Sequence, residues 1–107
     1  MIAPMASVLT AVLEPEVETR AKPRVAPRYK VLLLNDDVTT FEFVTDLLVT
    51  LFHKDHSEAT RLTQEVHDSG AAVVTVTSLE RGELYVDQVH SLARPRGFPL
   101  TATLEPE

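Results

Sequence analysis

The chain has 107 residues, 44% of them hydrophobic, a formal net charge of −6 and no cysteine. That length suits a single domain, and the missing cysteine excludes disulfides, thiolate nucleophiles and cysteine metal sites. An acidic chain without a basic stripe argues against nucleic acid as a partner, and no apolar run reaches the roughly 18–20 residues that span a bilayer.

Met1 to Thr10 is apolar but has no Lys or Arg before its apolar stretch, so it does not read as a secretory signal. Glu14, Glu16 and Glu18 make it too acidic for a transit peptide, and a cytoplasmic location is expected. Residues 1–28 hold Pro4, Pro15, Pro23 and Pro27, four of the seven prolines. Proline at that spacing interrupts helix and strand alike. An extended, disordered N-terminal tail is therefore expected over 1–28, with a transient helical turn near Ser7–Leu13. It reads either as a leader without a role or as a segment that works on a partner.

The folded core is expected over 29–107. Val31-Leu32-Leu33-Leu34 is a short continuous apolar run, as for a central strand or one buried on both faces. Asn35-Asp36-Asp37 then favours a turn. Thr39 with Glu42 forms a capping box, which predicts a helix whose apolar face is Phe43, Val44, Leu47, Leu48, Leu51 and Phe52. His53-Lys54 ends it. Asp55 with Glu58 opens a second helix from His56 to about Ser69, burying Ala59, Leu62 and Val66, with Gly70 as the left-handed stop.

Ala72 to Thr77 is β-branched and reads as a strand. Ser78 caps a third helix running to about Arg94, with Leu79, Val86, Val89, His90 or Leu92 buried and Gly82 weakening its start. Pro95 and Gly97 punctuate the exit. Leu100 to Leu104 alternates as a last strand. The order βααβαβ predicts an α+β fold: a three-stranded antiparallel sheet packed against three helices.

Three places carry candidate chemistry: Asn35-Asp36-Asp37 after the first strand, Val66-His67 before Gly70, and Pro99-Leu100 at the last strand. Asn, Asp and neutral His offer acceptors, and a protonated α-amine offers three donors. Such acceptors beside an apolar hole would suit a chain's amino terminus and its first side chain. Read alone, His67 is also an ordinary helix-end residue and Asn35-Asp36-Asp37 an ordinary turn. His53 and His56 straddle a helix break, so no metal site is expected, and no cofactor either.

The stretch Tyr29 to Asp37, with Thr39, Glu42-Phe43-Val44, Ala59-Thr60, Val66-His67, Gly70 and the ending Pro99 to Glu105, resembles the ClpS family. These are adaptors of the Clp AAA+ protease that recognise N-end-rule degrons. The match spans residues 29–105, without insertion through the second helix. The resemblance implies that Asn35 and His67 hydrogen-bond the substrate α-amino group, with Asp36 beside that charge. It implies Asp37 and Thr39 at the pocket mouth against the peptide backbone. Phe41, Val44, Thr63, Val66 and Leu100 would form the pocket for a bulky hydrophobic first residue. Glu80 would meet the N-terminal domain of the Clp unfoldase, and the tail would serve handover.

The gate and second-helix pocket positions usually hold methionine; here they hold Phe41 and Thr63. Tyr85 replaces a basic residue near the unfoldase contact. The expected partners are N-degron proteins and that unfoldase, and the expected state is monomeric. An alternative is an assembly module with a ribosomal-stalk-like α/β layout and no degron pocket. An acid/base enzyme using Asp36, Asp37 and His67 is disfavoured: there is no activated nucleophile, metal set or glycine-rich phosphate loop.

Overall fold

Residues 26–107 are described by the structure, a computed structural model. The expected turn at Ser7–Leu13 lies outside the described residues. The elements are β1 (Tyr29–Leu34), α1 (Phe41–Thr50), α2 (His56–Ser69), β2 (Ala71–Thr77), α3 (Leu79–Ala93), a 3-10 turn (Arg94–Arg96) and β3 (Thr101–Pro106). The strands form one antiparallel sheet in the order β2-β1-β3. The α+β architecture is the expected one.

The apolar run Val31–Leu34 of β1 fits its place as the central strand. Val31 and Leu33 are fully buried, whereas Leu32 and Leu34 are half-buried. The burial is therefore that of a strand with one fully covered face, not two. Val31 pairs with Thr75 and Leu32 with Val73, which leaves Val74 as the extra residue of a β-bulge. At the open end of β1, the Arg28 carbonyl accepts from the Glu107 amide at 2.9 Å, and the two side chains form an ion pair at 3.4 Å.

The helix caps follow the sequence with one correction. Asp55 accepts from the Glu58 amide at 2.8 Å, and Ser78 accepts from the Arg81 amide at 3.2 Å. Gly70 closes α2 at φ 90°, where a side chain is strained. The cap of α1 is Thr40, not Thr39: its hydroxyl accepts from the Phe43 amide at 3.1 Å. Thr39 is unavailable because its hydroxyl donates to Asp36 instead.

A second correction concerns α3. Its buried line is Gly82, Val89 and Ala93, while Leu79 and Leu92 are 42% and 49% exposed. Gly82 is the reason. A Cβ there would lie 2.7 Å from Leu104 Cδ2, so the missing side chain lets α3 seat closely on β3 along that line. Its cost in helix propensity is set against close packing. β3 is also shifted from the expected range, and Leu100, just before it, is fully buried in the core.

Edge-strand amides that face away from the sheet need other partners. On β3, the Ala102 amide donates to His90 Nε2 at 3.1 Å. Accepting there requires a neutral ring. Burial, then the Arg94 charge, push the His90 pKa below its ordinary 6.5, with Asp87 opposing. Because the folded value lies below the unfolded one, this stabilisation is complete above 6.5 and is lost as pH falls below it. The urea midpoint should therefore decline as pH drops below 6.5, and decline less in His90→Gln, whose amide oxygen can still accept. Equal pH slopes for the two proteins would contradict this.

Candidate functional site

A backbone bond assembles the site. The Asn35 amide donates to the Gly70 carbonyl at 2.9 Å, which ties the end of β1 to the end of α2. His67 lies one turn before Gly70, so this tie carries Asn35 and His67 to the same end of the fold. Both line one cavity of about 300 Å³. Asp36, Asp37 and Thr39 border it from the loop, Thr40, Phe41 and Val44 from the start of α1, and Thr63 and Val66 from α2.

Asp36 shapes the loop. Its Oδ1 accepts from the Val38 amide at 2.8 Å and the Thr39 amide at 2.7 Å, and its Oδ2 from the Thr39 hydroxyl at 2.7 Å. Partial burial works against ionisation. The bonds from Thr39 and Val38, helped by the Arg94 charge, outweigh it and hold this carboxyl below the ordinary 3.8. Asp36 is therefore an ionised group already engaged by its own loop. Asp37, next to it, is exposed, and no Lys or Arg lines the cavity.

The wall behind this acceptor rim is apolar. Val44 and Val66 are buried, and Phe41 stands at the opening, 41% exposed. Thr63 is 3% exposed and its hydroxyl donates to the Ala59 carbonyl at 2.7 Å. Leu100 is not among the lining residues of this cavity; it packs in the core. Its carbonyl accepts from Arg94 at 2.7 Å. Glu80 is exposed in the first turn of α3, an element that contributes nothing to the cavity lining. Tyr85, in the same helix, stacks on Phe52 with ring centroids 4.6 Å apart.

The sequence reading missed two residues here. Thr40 lines the cavity as well as capping α1; the capping pattern of Thr39 with Glu42 had drawn the cap one residue early. Thr45 is buried and hydrogen-bonds Thr63 from outside the cavity, with no pattern in the sequence to announce it.

Residues 24–103 match the family model described as ATP-dependent Clp protease adaptor protein ClpS. The ClpS adapter of Nautilia profundicola is 47% identical over 77 residues, covering 72% of this chain and 79% of that relative. The chain belongs to the ClpS family. The ClpS adapter of Roseobacter denitrificans is 44% identical over 101 residues, covering 94% of this chain and 83% of the relative. The solved structure of Agrobacterium tumefaciens ClpS2 bound to L-phenylalaninamide superposes with a TM-score of 0.75 at 38% identity. That comparison covers 78% of this chain and all of the other.

ClpS proteins are adaptors of the ATP-dependent Clp protease, not enzymes in their own right, and this chain is a Clp protease adaptor. Among the described residues, no helix is long and apolar enough to cross a membrane.

Proposed function

We propose that this ClpS protein binds N-degron substrates by their free α-amino group and bulky hydrophobic first residue and delivers them to a Clp unfoldase. Asn35 and His67 accept hydrogen bonds from the ammonium, and Asp36 supplies the negative field beside it. Asp37 and Thr39 meet the peptide backbone at the mouth. Phe41, Val44, Thr63 and Val66 enclose the first side chain, with Leu100 packed in the core as support. Glu80, on a separate face, contacts the N-terminal domain of the unfoldase. The protein acts as a cytoplasmic monomer, with residues 1–28 serving as a tail in handover.

One observation carries this reading: Asn35, Asp36 and His67 share a cavity with Val44, Thr63 and Val66. Its volume, about 300 Å³, is at the lower end of the roughly 300–1,000 Å³ range of small-molecule sites, a fit for one side chain and a chain start. The ligand of the solved relative, L-phenylalaninamide, has that chemistry: an amine beside an aromatic side chain. Burying one large apolar side chain contributes roughly 1.5–3 kcal/mol. Each hydrogen bond to a charged group contributes roughly 1.5–3 kcal/mol. Less the cost of association, micromolar binding at about −8 kcal/mol is within reach.

The test pairs binding with delivery. Peptides that begin with Leu, Phe, Tyr or Trp should bind, and those that begin with Asp or Gly should not. Removing residues 1–25, which spares the Arg28 bonds to Glu107, should leave peptide binding intact and slow substrate degradation by the assembled protease. Indifference to the first residue would refute the pocket, and normal degradation with the shortened adaptor would refute the role of the tail.

A further inference from the structure

Thr45 and Thr63 face each other across α1 and α2 with hydroxyl oxygens 2.9 Å apart, both nearly buried. Each hydroxyl has one proton. Thr63 uses its proton on the Ala59 carbonyl at 2.7 Å. The contact between the two threonines then requires Thr45 to donate, although the Phe41 carbonyl at 3.0 Å is a second acceptor for the same proton. A helical threonine divides between two χ1 rotamers, because its hydroxyl can bond the carbonyl one turn back. A donor arriving from α1 selects between them.

Resting on the degron-binding reading, we infer that Thr45, outside the cavity, is a positioning residue for selection of the first side chain. Its hydroxyl holds the Thr63 oxygen on the α1–α2 interface and leaves the Thr63 methyl as the surface the ligand meets. The pocket wall is thereby apolar in spite of carrying a threonine. It has no partner there for the phenol of a tyrosine, so a first residue Phe is preferred to Tyr. Both hydroxyls of the pair are satisfied internally, which is also why the two polar groups are tolerated in a buried place.

The experiment titrates two fluorescent peptides that differ only in beginning with Phe or Tyr against the full chain and its variants. In Thr45→Val the donor is lost at nearly constant shape, and the Ala59 carbonyl alone then holds the Thr63 hydroxyl, which exchanges with the other rotamer and can meet the phenol. The Phe-over-Tyr ratio should fall by roughly fivefold, the scale of one hydrogen bond. Thr45→Ser keeps the donor and should keep the parental ratio. The double variant Thr45→Val/Thr63→Val removes the released hydroxyl and should return the preference to Phe, so the two changes are coupled. Thr45→Ala reads the same way as Thr45→Val if the latter folds poorly.

A purely structural role for Thr45 predicts equal weakening of both peptides and an unchanged ratio, which would overturn the inference. So would a Thr45→Ser shift as large as that of Thr45→Val. If the parent protein binds neither peptide, it is the degron-binding reading that fails, independently of Thr45.

Discussion

Asp36→Ala should weaken binding of a Phe-first peptide by at least about 2 kcal/mol, roughly 30-fold. The substitution removes an ionised carboxylate at the cavity and three hydrogen bonds of 2.7–2.8 Å that fix the Val38 and Thr39 amides and the Thr39 hydroxyl. The loss therefore combines a missing field with a mouth that no longer holds its shape. Asp36→Asn separates the two: its amide oxygen can still accept from the backbone, but the charge and the acceptor for the Thr39 hydroxyl are gone. An intermediate loss is expected there. Isothermal titration reads both variants, and parental affinity in Asp36→Ala would contradict the role given to this residue. The carboxyl pKa is depressed in the fold, so the stability it contributes is present above 3.8 and is lost as pH falls through the lowered value.

Asn35→Ala and His67→Ala should each weaken the same peptide by about 1–3 kcal/mol, the scale of a hydrogen bond to a charged group. The two residues reach the cavity from different elements and are tied only through the Asn35 amide and the Gly70 carbonyl, which the substitutions leave in place. Folding should therefore survive while binding falls. If both side chains hold one ammonium, their losses are not additive, and the double variant should lose less than the sum of the singles. Affinities unchanged in both single variants would count against the assignment.

Much of the fold was legible because its signals are local. Asp55, Ser78 and Gly70 mark helix ends by chemistry that acts within four residues, and the structure uses each as the sequence suggested. The central position of β1 was legible from its apolar run. What was hidden depends on contacts between distant segments. The sequence pattern pointed to Thr39 as the cap of α1, but its hydroxyl is taken by Asp36 and Thr40 caps instead. The seating of α3 is set by Gly82 against Leu104, 22 residues on, so periodicity alone placed Leu79 wrongly in the core and left His90 and Leu92 as alternatives, of which His90 is the half-buried one.

The site divides in the same way. Asn35, Asp36 and His67 were recognisable as a pattern of residue types, and their convergence follows from the bond between Asn35 and Gly70. Thr45 was invisible, because its importance arises only from a hydroxyl across the α1–α2 interface. Leu100 looked like a pocket residue by resemblance, yet its side chain is taken up by the core.

The most direct measurement compares one Phe-first peptide with its N-acetylated twin. Acetylation leaves every apolar atom of the first residue in place and removes the positive charge and two of the three N–H donors. The free amine should bind at about micromolar affinity and the capped peptide roughly 100-fold more weakly or worse. Equal affinity for the two would mean that Asn35, Asp36 and His67 do not recognise a chain's amino terminus.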